Sequence, residues 1–429
     1  MTNLQRILYA AGQLGMMGLT RFVFQWVIKF ASTEGPDGSV LLSAAAVGAV
    51  FLGFRIFDGI TDPIAGVVSD GWIRKGRERR TLLWYSFALP PIGLALCFLP
   101  DHSMTEALRW TLVVAGLFVF FVGYTFYAIP YWSLIEDYSA GEDNRRRVLS
   151  TVLGAGLLLA TGIGFVVSPG LVEAHGYLVG ALAFAVPGGL LMVLPYFAKP
   201  SDAKLSVPEQ TGEKTSLLRS LKIALGHRRF LSVLVLFSGS QMSFTIMTAA
   251  APFIAEDLLG GTVADVALLL GPLLGTAIPC FIFVPRLSRA IGWERGLLFA
   301  SLALGVVYLT AGGLGRAVIG TPLVTAMIIF GLGGPMCSVL LGLEGEAITA
   351  CAKERGSDVV STYFGVFNFI VKALNGVAML LAGTLAELSR GDLGVVAVRL
   401  MAFSAASCLF ICSITYFIIR PRSRVEVAP

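Results

Sequence analysis

The chain has 429 residues, of which 56% are hydrophobic and 14% charged, with a formal net charge of +5. Soluble domains carry roughly 25% charged residues, and the mean hydropathy here is +0.79. Apolar runs recur along nearly the whole length, which excludes an ordinary soluble enzyme or nucleic-acid-binding domain and predicts an all-α membrane protein.

Twelve spans are expected, at about 7–31, 40–67, 81–99, 107–135, 149–171, 178–198, 230–254, 264–284, 296–314, 321–348, 358–387 and 394–419. The first follows a short polar start and carries Gln13, Arg21 and Gln25, unlike a cleavable signal peptide. The second holds Arg55, Asp58, Thr61 and Asp62 in the run Phe54 to Pro63. A carboxylate in a hydrocarbon core costs about 2.5–3.5 kcal/mol, so two of them need a purpose. At i and i+4, Asp58 and Asp62 face one side of the helix. Carboxylates with a nearby hydroxyl suit a hard cation such as Na⁺, and two close carboxylates equally suit a proton. The alternative is a buried ion-pair network in which Arg55 and Lys372 balance both charges.

After span two comes a basic turn, Asp70 to Arg80, and Asp70, Arg77 and Arg80 are expected to gate by tying neighbouring helix ends together. Span four contains Tyr124, Thr125, Ala128 and Trp132. Thr125 could add a cation ligand, and Tyr124 and Trp132 could line a cavity. A charged loop over 199–229 separates six spans (1–198) from six more (230–429). A second basic turn, Pro285 to Arg295, echoes the first at the equivalent place. Two parallel six-helix halves with a mid-membrane site are the major facilitator arrangement. Lys372 lies in span eleven of the second half. Reaching Asp58 or Asp62 would make it a charge link between the halves.

Basic residues gather in alternate loops and the tails, among them Arg74–Arg80, Arg145–Arg147, the middle loop with Lys204 and Lys214, and Arg420, Arg422 and Arg424. Lys29, Arg109, Arg316, Arg390 and Arg399 fall on the other side. The positive-inside rule then places both termini and the middle loop in the cytoplasm of a multi-pass cell-membrane protein. The basic runs read as topology anchors and contacts with anionic lipid. The three histidines, His102, His175 and His227, fall in predicted loops without a nucleophile motif, so no enzyme is expected, and no cofactor beyond the coupling ion.

The run Arg55-Ile56-Phe57-Asp58-Gly59-Ile60-Thr61-Asp62-Pro63 resembles the span-two motif of the glycoside–pentoside–hexuronide:cation symporters, the melibiose permease group of the major facilitator superfamily. Pro130-Tyr131-Trp132-Ser133-Leu134 resembles its span-four motif, and Lys372 falls where its span-eleven lysine lies. The resemblance implies a monomer that moves a small organic solute with Na⁺ or H⁺. It implies that Asp58, Asp62 and Thr125 bind the cation, with Lys372 nearby. Thr61, where the sodium-using permease has asparagine, leaves Na⁺ against H⁺ open. Sugar-transporting members have carboxylates at the positions of Met17 and Ala128, and an arginine at Leu153. Losing those groups, with Arg21 gained in span one, points to an anionic or less polar substrate. An amphiphile or lysophospholipid carrier is the other transport reading, favoured by an apolar cavity at Leu153, Leu157, Leu158 and Leu159. A sensor or scaffold that transports nothing is the reading from another class.

Overall fold

A computed structural model of the protein describes residues 1–203, 217–315, 319–355, 360–391 and 393–420. Much of the middle loop, with Lys204 and Lys214, lies outside them, as do Arg316, Arg422 and Arg424.

Ten described helices are long and apolar enough to cross a membrane. Two local features account for the difference from twelve spans. Spans five and six run together in α6 (Asp143–Val193), which breaks at Gly176 with φ 79° and ψ 172°. A side chain would be strained there, whereas glycine is not. Span three is divided into α3 (Arg80–Ser86) and α4 (Leu89–Cys97), the second opening on a proline pair. Pro90 and Pro91 offer no N–H to continue the ladder.

The remaining helices are α1 (Asn3–Ala31), α2 (Ala44–Arg74), α5 (Glu106–Ser139), α7 (Leu217–Leu225), α8 (Arg228–Phe253), α9 (Val266–Cys280), α10 (Val284–Ile291), α11 (Trp293–Ala311), α12 (Pro322–Lys353), α13 (Val360–Ser389) and α14 (Val395–Ile419). Spans seven and eight also depart from one regular helix. The first ends in a π-helical turn, Ile254–Leu258, and the second is interrupted at Phe281–Phe283. Prolines Pro63, Pro130, Pro252 and Pro335 lie inside continuous helices. The helices continue through them, because a helix can lose one N–H and stay paired elsewhere.

The two halves meet along α2 and α13, and that seam closes toward one face. A Cβ on Gly383 would stand 2.3 Å from the Ala44 carbonyl oxygen, and one on Gly48 2.7 Å from that of Met379. Only glycine allows backbones this close. The contact runs down to Gly59, where Phe369 would meet a Cβ at 2.8 Å. Beyond it, Gly66, Gly71 and Gly365 have nothing within 4 Å of that position. The seam between α6 and α9 behaves likewise: Gly271 approaches Val166, while Gly154, Gly162 and Gly275 are open.

Apart from the contacts of Lys372 with Asp58 and Asp62, the polar bonds across the halves among the described residues sit at the closed end. Lys29 pairs with Glu256, and Arg390 with Glu34 at 3.4 Å. Glu173 accepts from the Val263 N–H at 3.1 Å. Glu387 of α13 accepts from the Ser43 hydroxyl at 2.5 Å and the Ala45 N–H at 3.0 Å, placing a carboxylate on the N-terminus of α2, where the helix dipole favours negative charge. Around the Arg74–Arg80 turn, by contrast, the ion pairs stay within a half. The molecule is therefore open toward its basic face.

Glu387→Gln should weaken that closed end by about 1–2 kcal/mol. Spin labels at Asp37→Cys and Leu393→Cys, on exposed residues at that end, should then show a larger population at long separation. An unchanged distance distribution would count against the seam.

Candidate cation and substrate site

α2 places Asp58 and Asp62 where its close contact with α13 ends. Asp58 is fully buried. Its Oδ1 accepts from the Thr125 hydroxyl of α5 at 2.5 Å. Its Oδ2 accepts from Arg55 Nη1 at 2.7 Å and lies 3.1 Å from Lys372 Nζ. Lys372 donates to Asp62 Oδ2 at 2.5 Å. Two carboxylates of one half thus share the ammonium of the other. Arg55 is held from behind, its guanidinium 5.3 Å from the Phe24 ring and 5.6 Å from that of Phe121.

The residues differ in what they leave free. Asp58 is fully engaged. Asp62 Oδ1 is buried and has no hydrogen-bond partner among the described residues. Thr61 departs from expectation. Its hydroxyl donates to the Phe57 and Asp58 carbonyls at 3.0 and 3.2 Å, so it is turned onto its own helix and away from the carboxylates. A hydroxyl bonded back to its own helix is not a ligand in this conformation.

From Lys372 two chains of contacts lead inward. Its Nζ lies 5.9 Å from the Tyr124 ring, which meets Trp132 edge-on at 6.4 Å, and Trp132 donates to Gln13 at 2.9 Å. One turn along α13, Asn375 accepts from Thr245 of α8 at 3.1 Å. Beside Thr245, Phe244 carries the Arg21 guanidinium at 5.8 Å. Arg21 also donates to Thr161 at 3.1 Å. It pairs with neither of the acids of α12, Glu344 and Glu346. Glu344 accepts from Gln241 at 3.0 Å, and Glu346 accepts from Ser288.

The other expected solute contacts differ in exposure. Ala128, at 1%, presents almost nothing to a solute, whereas Met17 at 8% is as exposed as Tyr124 at 8%. Leu153 and Leu157 pack against the core, and Leu159 is exposed. The apolar cavity found near span five, about 190 Å³, lies instead between α1 and α6, lined by Leu14, Gly18, Ala160, Ile163, Val167 and Phe184.

On the basic face the central residue is Arg79, which the sequence reading passed over. It is buried, and it bonds Asp137 at 3.0 Å, Ser69 at 3.0 Å, the Ser133 carbonyl at 3.3 Å and Asp70 at 3.4 Å. It thereby ties α2 to α5. Arg80 instead reaches Glu78 and the Tyr196 carbonyl, and Arg77 stacks on Trp72 at 4.5 Å. The spacing of arginines in the turn does not say which one points inward. In the second half the matching tie from α10 to α12 is Ser288 to Glu346 at 2.9 Å.

Two halves of membrane-crossing helices, joined at mid-depth by buried charge, form the architecture of a secondary transporter. The chain belongs to the family described as MFS/sugar transport protein, whose model matches residues 9–419. The uncharacterized symporter YjmB of Bacillus subtilis is 26% identical over 263 residues, covering 59% of this chain and 56% of that protein. The putative glycoside/cation symporter YagG of Escherichia coli is 26% identical over 197 residues, 44% of this chain and 41% of its own. The matches thus span about half the length of these curated relatives. In fold, the crystal structure of the nucleoside transporter NupG superposes with a TM-score of 0.68 at 12% identity, covering 97% of this chain and 99% of that one. The peptide transporter POT gives 0.67 at 12% identity, covering 97% and 93%. The family is one of transporters, not enzymes.

Two outcomes check the geometry. Thr125→Ala strips a donor from a fully buried carboxylate and should lower unfolding stability by about 1–3 kcal/mol. Thr61→Ala should change it by less than about 0.5 kcal/mol. Equal losses would mean that Thr61 also faces the site. On the basic face, burial raises the Glu78 carboxyl, but hydrogen bonds from Lys199 and Arg80 outweigh it and hold the group below its ordinary 4.5. A lowered folded value means stability present above the ordinary value and lost as pH falls through the folded one. Unfolding temperature should therefore drop below about pH 4.5, and less so in Glu78→Gln.

Proposed function

We propose that the protein is a cation-coupled symporter that carries a small organic solute by alternating access between its halves. The observation that carries this is the Lys372 ammonium of one half lying between the Asp58 and Asp62 carboxylates of the other. It occupies the position that a coupling cation needs. The form open to the basic face holds its own positive charge there. A cation arriving at Asp58, Asp62 and Thr125 displaces that charge and changes what joins the halves, which is how an ion can bias two conformations. Na⁺ would take carboxylate and hydroxyl oxygens. A proton would take the unpartnered oxygen of Asp62. Relatives named as symporters support the same reading.

In this reading the basic face is cytoplasmic, with both termini on it, and the unit is a monomer. The solute sits against Trp132, Tyr124, Gln13 and Arg21. It is anionic or less polar than a simple sugar, because Met17, Ala128 and Leu153 bring no polar group to replace those of sugar carriers. The Arg79 tie and its Ser288–Glu346 counterpart keep the helices of each half together as the halves rock.

The test is thermal unfolding of the purified protein with sugars, uronates, sulfonates, bile-acid-like amphiphiles and lysolipids, each with and without Na⁺ and at two pH values. A ligand shift that grows with Na⁺ or with acid is expected, and its loss in Asp58→Asn and Asp62→Asn. In proteoliposomes the same variants should abolish gradient-driven accumulation of the ligand so found. Undiminished accumulation in both would sink the coupling claim, and no shift from any ligand or ion would favour a sensor or scaffold.

A further inference from the structure

The charges of the cation site balance among themselves: Arg55 and Lys372 against Asp58 and Asp62. Two buried or half-buried charges near the middle of the bundle are left over. Arg21 of the first half has neutral neighbours, Thr161 and the Phe244 ring. Glu344 of the second half has Gln241. Neither forms an ion pair among the described residues. Their neighbours Gln241 and Phe244 are both on α8, three residues apart, hence on one face and about 4.5 Å apart along the axis. Phe244 also packs against Phe165 of the first half, ring centroids 6.1 Å apart. Arg21 and Glu344 thus both bear on one stretch of α8, Arg21 from the first half through Phe244 and Glu344 from within the second through Gln241, with opposite charge and no partner charge among the described residues.

Leaving either charge in a low-dielectric site without a counter-charge is expensive. The arrangement makes sense if a ligand supplies both counter-charges at once. We propose that the transported solute is a zwitterion, its anionic group bound by Arg21 and its cationic group by Glu344, with Gln241 orienting that carboxylate. A solute held this way touches both halves, so its binding favours the form in which they are closest. This rests on the transport reading above and replaces its anionic or less polar solute with one that carries both charges. It assigns a role to Glu344, a residue unrelated to the Asp58–Asp62 site.

The test uses four probes on one hexose scaffold: galactose, galactosamine, galacturonate and galactosaminuronate, which are neutral, cationic, anionic and zwitterionic. Thermal unfolding of the full-length protein is followed at equal probe concentrations. Galactosaminuronate should give the largest shift. Glu344→Gln should cut its affinity about tenfold or more and leave galacturonate preferred. Arg21→Gln should leave galactosamine preferred. Glu344→Asp should keep the zwitterion first. An unchanged ranking in Glu344→Gln, or no shift from any of the four in the unaltered protein, overturns the assignment. The ligand-free protein is measured alongside with and without Na⁺ and at two pH values. Stabilisation by the ion that persists while the ranking fails to change sinks the zwitterion and spares symport. Absence of any ion response in the unaltered protein sinks symport instead.

Discussion

One ammonium group joins the two halves at mid-depth. Lys372 lies against Asp62 at 2.5 Å and Asp58 at 3.1 Å, and those carboxylates belong to the other half. In a low-dielectric surrounding an unpaired charge is strongly destabilising, and breaking a buried pair costs about 3–5 kcal/mol. Parting the halves at this point breaks the pair, a cost that water or another cation reaching the carboxylates would offset. The position in the fold sharpens this. On one side of it α2 and α13 touch at glycines, and on the other the glycines stand free. The charge link sits where the closed part of the seam ends, so its state bears directly on how far the seam closes.

The same residue is linked by contacts to Trp132 and Arg21, where the solute is proposed to sit. Tyr124 lies between Lys372 and Trp132, and it is the neighbour of Thr125, which bonds Asp58. Asn375, one turn from Lys372, holds Thr245 beside the Phe244 that faces Arg21. A shift of Lys372 off the carboxylates moves the group that both chains of contacts lean on. Coupling of this kind needs only that the two arrangements pack differently, since packed interiors change between discrete arrangements more readily than they deform.

How much of this could be read from the sequence follows from what sequence spacing encodes. Asp58 and Asp62 stood out because charge in an apolar run is costly, and their shared helix face followed from i and i+4. Lys372 stood out for the same reason. The direction of the Thr61 hydroxyl did not, because a threonine in a helix can bond its own carbonyl or reach outward, and spacing is silent on the choice. Arg79 was missed among neighbouring arginines of one turn. Its inward position depends on Ser69 and Asp137, which only the packing of α2 on α5 brings near. Met17 and Ala128 were placed by resemblance at positions that bear carboxylates elsewhere. Ala128 is small, and the helices close over it, leaving it 1% exposed. Glu344 was visible as a membrane acid, but its partner Gln241 lies 103 residues away, a contact that no local pattern announces.

The two faces of the molecule are built for different tasks. On the basic face Arg79 ties α2 to α5, Ser288 ties α10 to α12, and Arg229 bonds Glu294 and Glu354, all inside one half or the other. That face can part without losing any of these bonds. At the opposite face Lys29, Glu34 and Glu387 bond across the halves, so parting there breaks them. Gln25 lies on the same face of α1 as Arg21 and Lys29, one turn from each. It is fully buried, and among the described residues neither end of its amide has a partner. An unsatisfied buried polar group costs about 1–3 kcal/mol, which sets a cost beside what the neighbouring Lys29–Glu256 bond contributes.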